Sequence, residues 1–241
     1  MKRYLQKLLG FDNYLYVFSI FSIIKTRRDK EFVFFMERIP TEGNILDIGA
    51  NIGIMSILLA KKFDKSRIYA FEPMPSNLKA LKRIIKHYGV NNVTVEDKAL
   101  GMENGSIKMV MPVINDVKMQ GLTHIFDPER YPTSNEGIVF EVPVRRLDDV
   151  EMLHHVGPIT AIKIDVENHE YEVLLSGKKL LTKHSPIIYC ELWPGKERDE
   201  TIKYLEGLGY KTEIFDGKKF GPYQGQDASN FMFTKHPIEA S

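Results

Sequence analysis

A chain of 241 residues with 43% apolar and 27% charged side chains has the make-up of an ordinary globular protein with a sizeable core. Its formal net charge of +1 leaves no global basic field for nucleic-acid phosphates. The single cysteine, Cys190, rules out an intrachain disulfide and fits a reducing cytoplasm, and with no Cys-x-x-Cys pair a zinc site is not expected.

Residues 1–40 read as a helical cap. The opening MKRYLQKLLGFDNYLYVFSIFSII turns from basic to apolar as a signal peptide does, but Asp12 and Asn13 interrupt it and no small-x-small cleavage site follows. The uninterrupted apolar piece, 14–24, falls short of the ~20 residues that a spanning helix needs. Packing on the domain, or on a second copy as a homo-oligomer contact, is expected, with contact to a membrane surface the lesser alternative.

From residue 41 to 241 a single domain is expected. Short apolar runs alternate there with amphipathic helical patterns, the signature of a parallel α/β sheet. Strands are expected at 45–48, 67–71, 93–96, 161–165, 187–191 and 211–215, and helices at 52–62, 75–88, 170–175 and 198–208. A last apolar run, 230–234, is expected to close the sheet as an antiparallel edge. Residues 106–144 break the rhythm: strand-like at both ends and rich in Pro, Gly and Asn between, they read as a β-rich insertion over the site, mobile at 121–137. Residues 147–155 read as a short helix with Asp148 as its N-cap.

The stretch ILDIGANIGIMS places Gly49 and Gly53, with Ala50 and Asn51 between them, where a strand turns into a helix. In such sheets ligands sit at the carboxyl ends of the strands. A P-loop is excluded because no Gly-Lys-Ser/Thr follows, and GANIG lacks the middle glycine of a dinucleotide turn. Asp47, just before Gly49, repels a diphosphate and suits an ammonium group. The next strand ends in YAFEP, setting Glu72 and Pro73 where an acid accepts hydrogen bonds from ribose hydroxyls. Glu96 and Asp97, after the third strand, are placed for an adenine edge. These features point to S-adenosylmethionine, a phosphate-free nucleoside with a cationic tail, although Asp47 or Glu72 taken alone equally suits a helix cap.

The segment AIKIDVENHEYEVLLSG brings Lys163 and Asp165 onto one face of a central strand, so the lysine must be paired. Glu167 follows in the turn, Glu170 in the first turn of the next helix, and Glu191 ends the fifth strand. Asp165 or Glu191 is expected to act as a general base toward a hydroxyl acceptor, with Lys163 fixing the charge and His169 an additional base. Alternatively Asp165, Glu167 and Glu191 hold a divalent metal ion that activates the hydroxyl. Trp193 reads as packing or as the floor of a sugar site.

The segments ILDIGANIGIMS, YAFEPMPSNLKAL, VEDKALG, VRRLDDV and IKIDVENHEYEVLLSG, in this order and spacing, resemble the FkbM family of S-adenosylmethionine-dependent methyltransferases. The resemblance implies a Rossmann-like class I methyltransferase fold with a mostly parallel seven-stranded sheet and helices on both faces. It implies O-methylation of a saccharide or natural-product hydroxyl, with Asp47, Gly49, Asn51, Gly53 and Glu72 at the cofactor. It also makes Lys163, Asp165, Glu167 and Glu170 signature residues. Asn168 stands where the family has glycine; asparagine tolerates positive φ, and its side chain and that of His169 are expected in the acceptor region. The rival readings are an NAD-linked sugar oxidoreductase, disfavoured by the lack of a Tyr-x-x-x-Lys pair, and a catalytically silent binding module that keeps the cofactor fold.

Overall fold

The structure, a computed structural model, describes residues 1–128 and 137–235. Three helices lead the chain: α1 (Lys2–Leu9), α2 (Phe11–Thr26) and α3 (Lys30–Arg38). Gly10, at φ 71, turns the chain between the first two. Asp29 starts the third by accepting from Phe32 N at 3.2 Å. An α/β alternation follows as β1 (Asn44–Ile48), α4 (Ile54–Lys62), β2 (Arg67–Phe71), α5 (Pro75–Tyr88) and β3 (Val93–Glu96). The middle of the chain forms β4 (Ala99–Leu100), β5 (Gly105–Ile114), β6 (Val117–Lys118), β7 (His124–Ile125) and β8 (Gly137–Arg145). The alternation resumes with β9 (Ile159–Ile164), α6 (Glu170–Ser176), α7 (Lys178–His184), β10 (Ile187–Glu191), α8 (Lys196–Gly207), β11 (Lys211–Phe215), β12 (Phe220–Pro222) and β13 (Asn230–Thr234).

The main sheet runs in the order β12-β11-β13-β10-β9-β1-β2-β3. Neighbours from β10 across to β3 pair in parallel, whereas β13, β11 and β12 pair antiparallel. The expected sheet is thus present, but with eight strands rather than seven and a mixed end. One expectation needs correction: β13 is antiparallel yet lies inside the sheet, between β10 and β11. Phe231, Met232 and Phe233 show why, since all are fully buried and so both faces of the strand are covered. The edge falls to β12.

Alternate strand residues feed two cores. Ile45, Ile68, Ala161, Tyr189 and Met232 meet α2, α3 and α4, while Leu46, Ile162, Ile164, Ile188 and Cys190 meet α6, α7 and α8. Each fully buried aliphatic or aromatic side chain stabilises the sheet by about 1.5–3 kcal/mol. The apolar stretch 14–24 is the middle of α2; Tyr14, Leu15 and Ile23 are buried, in contact with the same chain.

Around residues 106–144, β5 pairs with β8 over its length, and β4, β6 and β7 extend this small second sheet. The stretch expected to be mobile, 121–137, lies partly outside the described residues. Residues 147–155 make two single 3-10 turns, Leu147–Asp149 and Glu151–Leu153, rather than a helix. Asp148 caps α7 instead, accepting from Lys179 N at 3.0 Å and Leu180 N at 2.9 Å.

Candidate active site

From β1 the chain goes outward to β2 and β3, then returns on the other flank as β9 and β10, so strand order reverses beside β1. A crevice opens at the carboxyl ends of strands at such a point. The turn after β1 is bound tightly to both neighbours: Gly49 N and Ala50 N donate to Phe71 O at 3.0 and 2.9 Å, and Asp165 N donates to Ile48 O at 3.1 Å. Gly49 sits at φ 73, and a Cβ there would lie 1.8 Å from the Asp165 carbonyl oxygen. Only glycine lets β1 and β9 approach this closely. Gly53, at φ 86, serves a different contact, because a Cβ on it would meet Leu81 of α5 at 2.6 Å.

Glu72 ends β2 almost wholly buried, at 4% exposure. Its carboxylate accepts from Asn51 N at 2.8 Å, Met74 N at 2.8 Å and the Asn77 amide at 3.2 Å. Burial pushes its pKa up to about 7 despite these donors. Beside it the Asn51 Oδ1 atom is buried without a hydrogen-bond partner, and Asn51 itself is held at φ 50. Gly49, Asn51, Glu72, Pro73, Asp165, Glu167 and His169 share the wall of one cavity with about 670 Å³ of empty space, open to solvent on one side. Gln120, Gly121, Thr123 and Ile125, from the middle of the chain, line the same cavity.

Asp47 is placed differently from the residues above it. Its side chain is 0% exposed and lies off the cavity wall; one oxygen accepts from Ser56 Oγ at 2.5 Å, and the other is 3.6 Å from Lys163 Nζ. Lys163 in turn donates to Gly49 O at 3.0 Å and lies 3.7 Å from Asp165. Burial pulls the lysine's pKa down, but Asp165, Asp47 and Glu191 together more than offset it, so the ammonium stays charged. A buried Asp47–Lys163–Asp165 chain therefore runs beneath the glycine turn and surfaces at Asp165, whose side chain is 36% exposed.

Glu167 and Asn168 follow at φ 56 and 65, two successive non-glycine residues in the left-handed region. Asparagine occupies that region most readily, which fits the expectation that Asn168 accommodates the turn; its side chain is not on the cavity wall. Burial, then the charges of Asp165, Glu191 and Glu170, push Glu167 up to about 8. Glu170 is buried with its carboxylate accepting from Val166 N at 2.8 Å, and burial lifts it to about 7. His169 lies 3.5 Å from the Glu172 carboxylate. Glu191 stands behind the wall, its pKa raised by burial and by Asp165. Asp97 is exposed and off the wall; the adjacent Lys98 reaches it, paired to Glu96. Trp193 is half-exposed and also off the wall. Among the described residues no three His, Cys, Asp or Glu side chains are grouped to hold a metal ion.

Sequence reasoning missed Asn77, Met109, Gln120, Thr123 and Ile125. Asn77 has a legible signal, since it opens the helix directly after Glu72. The other four belong to the 106–144 insertion expected over the site, whose pattern gives its place but not which of its side chains line the cavity.

A family profile described as "Methyltransferase FkbM domain" matches residues 47–212, from the buried aspartate beneath the turn through β11. The chain belongs to the FkbM methyltransferase family. It is 26% identical over 189 residues to "Methyltransferase 1" of Beauveria bassiana, covering 73% of this chain and 75% of that one. It is also 26% identical over 200 residues to "Methyltransferase sdnD" of Sordaria araneosa, covering 71% and 75%. The crystal structure of an FkbM methyltransferase from Methylobacillus flagellatus shares the fold with a TM-score of 0.53 at 15% identity. That alignment covers 91% of this chain but only 54% of the Methylobacillus one, so the chain spans about half the length of that relative. The FkbM match contains the glycine turn, Glu72 and the acids around β9, and it leaves α1 to α3 outside.

Proposed function

We propose that this FkbM methyltransferase transfers a methyl group from S-adenosylmethionine to a hydroxyl of a saccharide or small natural-product acceptor. The observation that carries the reading is one cavity wall on which Glu72 and the unpartnered Asn51 Oδ1 stand on one side and Asp165 and Glu167 on the other. The residues present fit the cofactor. Glu72 keeps acceptor capacity for ribose hydroxyls, Asn51 Oδ1 awaits a donor, and Met74, Met109 and Ile125 offer an apolar wall to a base. When bound, S-adenosylmethionine supplies a methyl carbon made electrophilic by its sulfonium sulfur.

The chain's own part is positioning and proton handling. Asp165 takes the acceptor's hydroxyl proton, since its part-exposed carboxylate stands on the wall and Lys163, 3.7 Å away, fixes its orientation from below. Glu167, lifted to about 8, holds its proton at neutral pH and so adds no charge beside Asp165. Glu191, behind the wall, acts through its charge and not by contact. Asp47 neutralises Lys163 instead of meeting a ligand.

The test uses methyl-labelled cofactor with glycan and small-molecule fractions, alongside calorimetry with S-adenosylhomocysteine and with NAD. S-adenosylhomocysteine binds and NAD does not, and label passes to a hydroxyl-bearing product. Asp165→Asn keeps the calorimetric affinity and loses about 10²–10⁴ in turnover; wild-type turnover in that variant refutes the assignment of the base.

A further inference from the structure

Helix α1 is docked with its polar side inward. Tyr4, Leu5 and Leu8 form one apolar stripe by their helical spacing, and no residue of α1 is buried. Tyr4 is 83% and Leu8 80% exposed. The opposite side holds the helix to the protein. Arg3 pairs with the Asp116 carboxylate, and Gln6 donates to Lys118 O at 3.0 Å while accepting from Lys118 N at 3.1 Å. The hairpin that α1 grips turns at Asn115–Asp116, and the last two residues of β5 before that turn, Val113 and Ile114, are exposed. The strap that follows carries exposed Leu122 between Gly121 and Thr123 of the cavity wall, so this apolar surface borders the cavity mouth.

An amphipathic helix normally hides its apolar stripe, and a large exposed apolar patch marks a contact surface. Charge decides what covers this one. Lys7 flanks the stripe, Lys2 lies at its other margin with its ammonium 5.9 Å from the centre of the Phe18 ring, and Arg3 lies behind it on Asp116; α1 itself carries no acid, and Asp12 is paired with Lys79. A second copy packed about a two-fold axis would bring these lysines against their own counterparts. An anionic lipid surface complements them, with the lysine ammonium groups at the headgroups and the stripe in the acyl boundary. No described helix is long and apolar enough to cross a membrane, so the contact is peripheral. We propose that the outward stripe of α1, with the exposed Val113 and Ile114 of β5 beside it, docks on an anionic lipid surface. For 14–24 a membrane-surface contact is the lesser expectation beside packing; that segment packs against α4 and α5 with Phe21 and Ile24 left exposed, and the proposal places the contact on α1. It does not depend on the identity of the methyl acceptor.

Co-sedimentation of the full chain with vesicles of phosphatidylcholine alone, and of phosphatidylcholine with phosphatidylglycerol, tests this. The chain pellets with the mixed vesicles and stays in solution with phosphatidylcholine. Tyr4→Ser/Leu8→Ser lowers the partition by at least about tenfold. Lys2→Gln/Lys7→Gln lowers it by about tenfold, as raised salt does for the wild type. Thermal unfolding by circular dichroism is unchanged in both variants, because they alter exposed side chains only. The proposal is overturned if the wild type ignores phosphatidylglycerol vesicles or if the Tyr4/Leu8 variant binds them equally. It is also overturned if sedimentation velocity finds a dimer that this variant dissolves, since a second copy then covers the stripe.

Discussion

Replacing Lys163 by methionine keeps the volume and removes the charge, which isolates the buried ion chain beneath the glycine turn. Asp47 is 0% exposed, and its oxygen facing Lys163 has no hydrogen-bond partner, so the substitution strands a buried carboxylate with only Ser56 to bond it. Removing one partner of a buried pair costs about 3–5 kcal/mol, and the lost bond to Gly49 O adds about 1 kcal/mol. Against the 5–15 kcal/mol that holds a typical domain together, roughly, this leaves a marginal fold. Urea unfolding followed by circular dichroism measures the loss. Asp47→Asn/Lys163→Met, in which no fully buried charge is left unpaired and Asp165, 36% exposed, still meets water, regains most of it. The stranded carboxylate of the single variant takes up a proton more readily folded than unfolded. The folded state then binds more protons, and the variant's stability falls as pH rises; its deficit against wild type narrows on acidification. A loss below about 1 kcal/mol, or a double variant no more stable than the single one, refutes the account of Lys163 as the counterion of Asp47.

Gly49→Ala forces a Cβ to within 1.8 Å of the Asp165 carbonyl oxygen; the left-handed backbone alone costs about 1–2 kcal/mol, so calorimetry records a melting temperature lower by at least about 5 °C. Glu72→Gln keeps an acceptor oxygen but replaces the other with an amide NH2, a donor that faces the backbone N–H of Asn51 or Met74, and titration calorimetry registers at least about a tenfold loss of S-adenosylhomocysteine affinity. Glu167 has its folded pKa raised from 4.5 to about 8, so its folded form holds protons that the unfolded chain releases, and stability drains away as pH climbs between those values. Glu167→Gln lacks this drain; its melting temperature gains on wild type through that window, and parallel curves for the two proteins contradict the raised pKa.

The glycine turn, Glu72 and the acids after β9 were legible because each depends on strand ends and local spacing. Those features survive in a single sequence. Asp47 shows the limit: its place two residues before Gly49 is readable, but whether its carboxylate points up to a ligand or down to Lys163 depends on strand alternation and on a partner from β9, over a hundred residues away. The position of β13 was misread for a related reason. Antiparallel pairing and an apolar run are local properties, whereas strand order in a sheet is decided by which edge remains open when the run arrives. Gln120, Thr123 and Ile125 reach the cavity only because β5 folds back on β8, a pairing that no local pattern announces. For α1 the stripe was readable and its direction was not: an amphipathic pattern says that two faces differ, and the grip of Arg3 and Gln6 on the hairpin decides which one meets water.

The interior place of β13 also bears on how the chain is made. β10 can pair with β9 as soon as both have been made, but its other edge stays bare until residues 230–234 emerge, and β11 has only the short β12 beside it in the meantime. Filling the gap between β10 and β11 thus waits on β13, whose pairings are non-local although closer in sequence than those of β1 with β9. A ribosome-bound or truncated chain that stops before β13 displays two unpaired strand edges, the kind of surface that recruits chaperones or seeds aggregates.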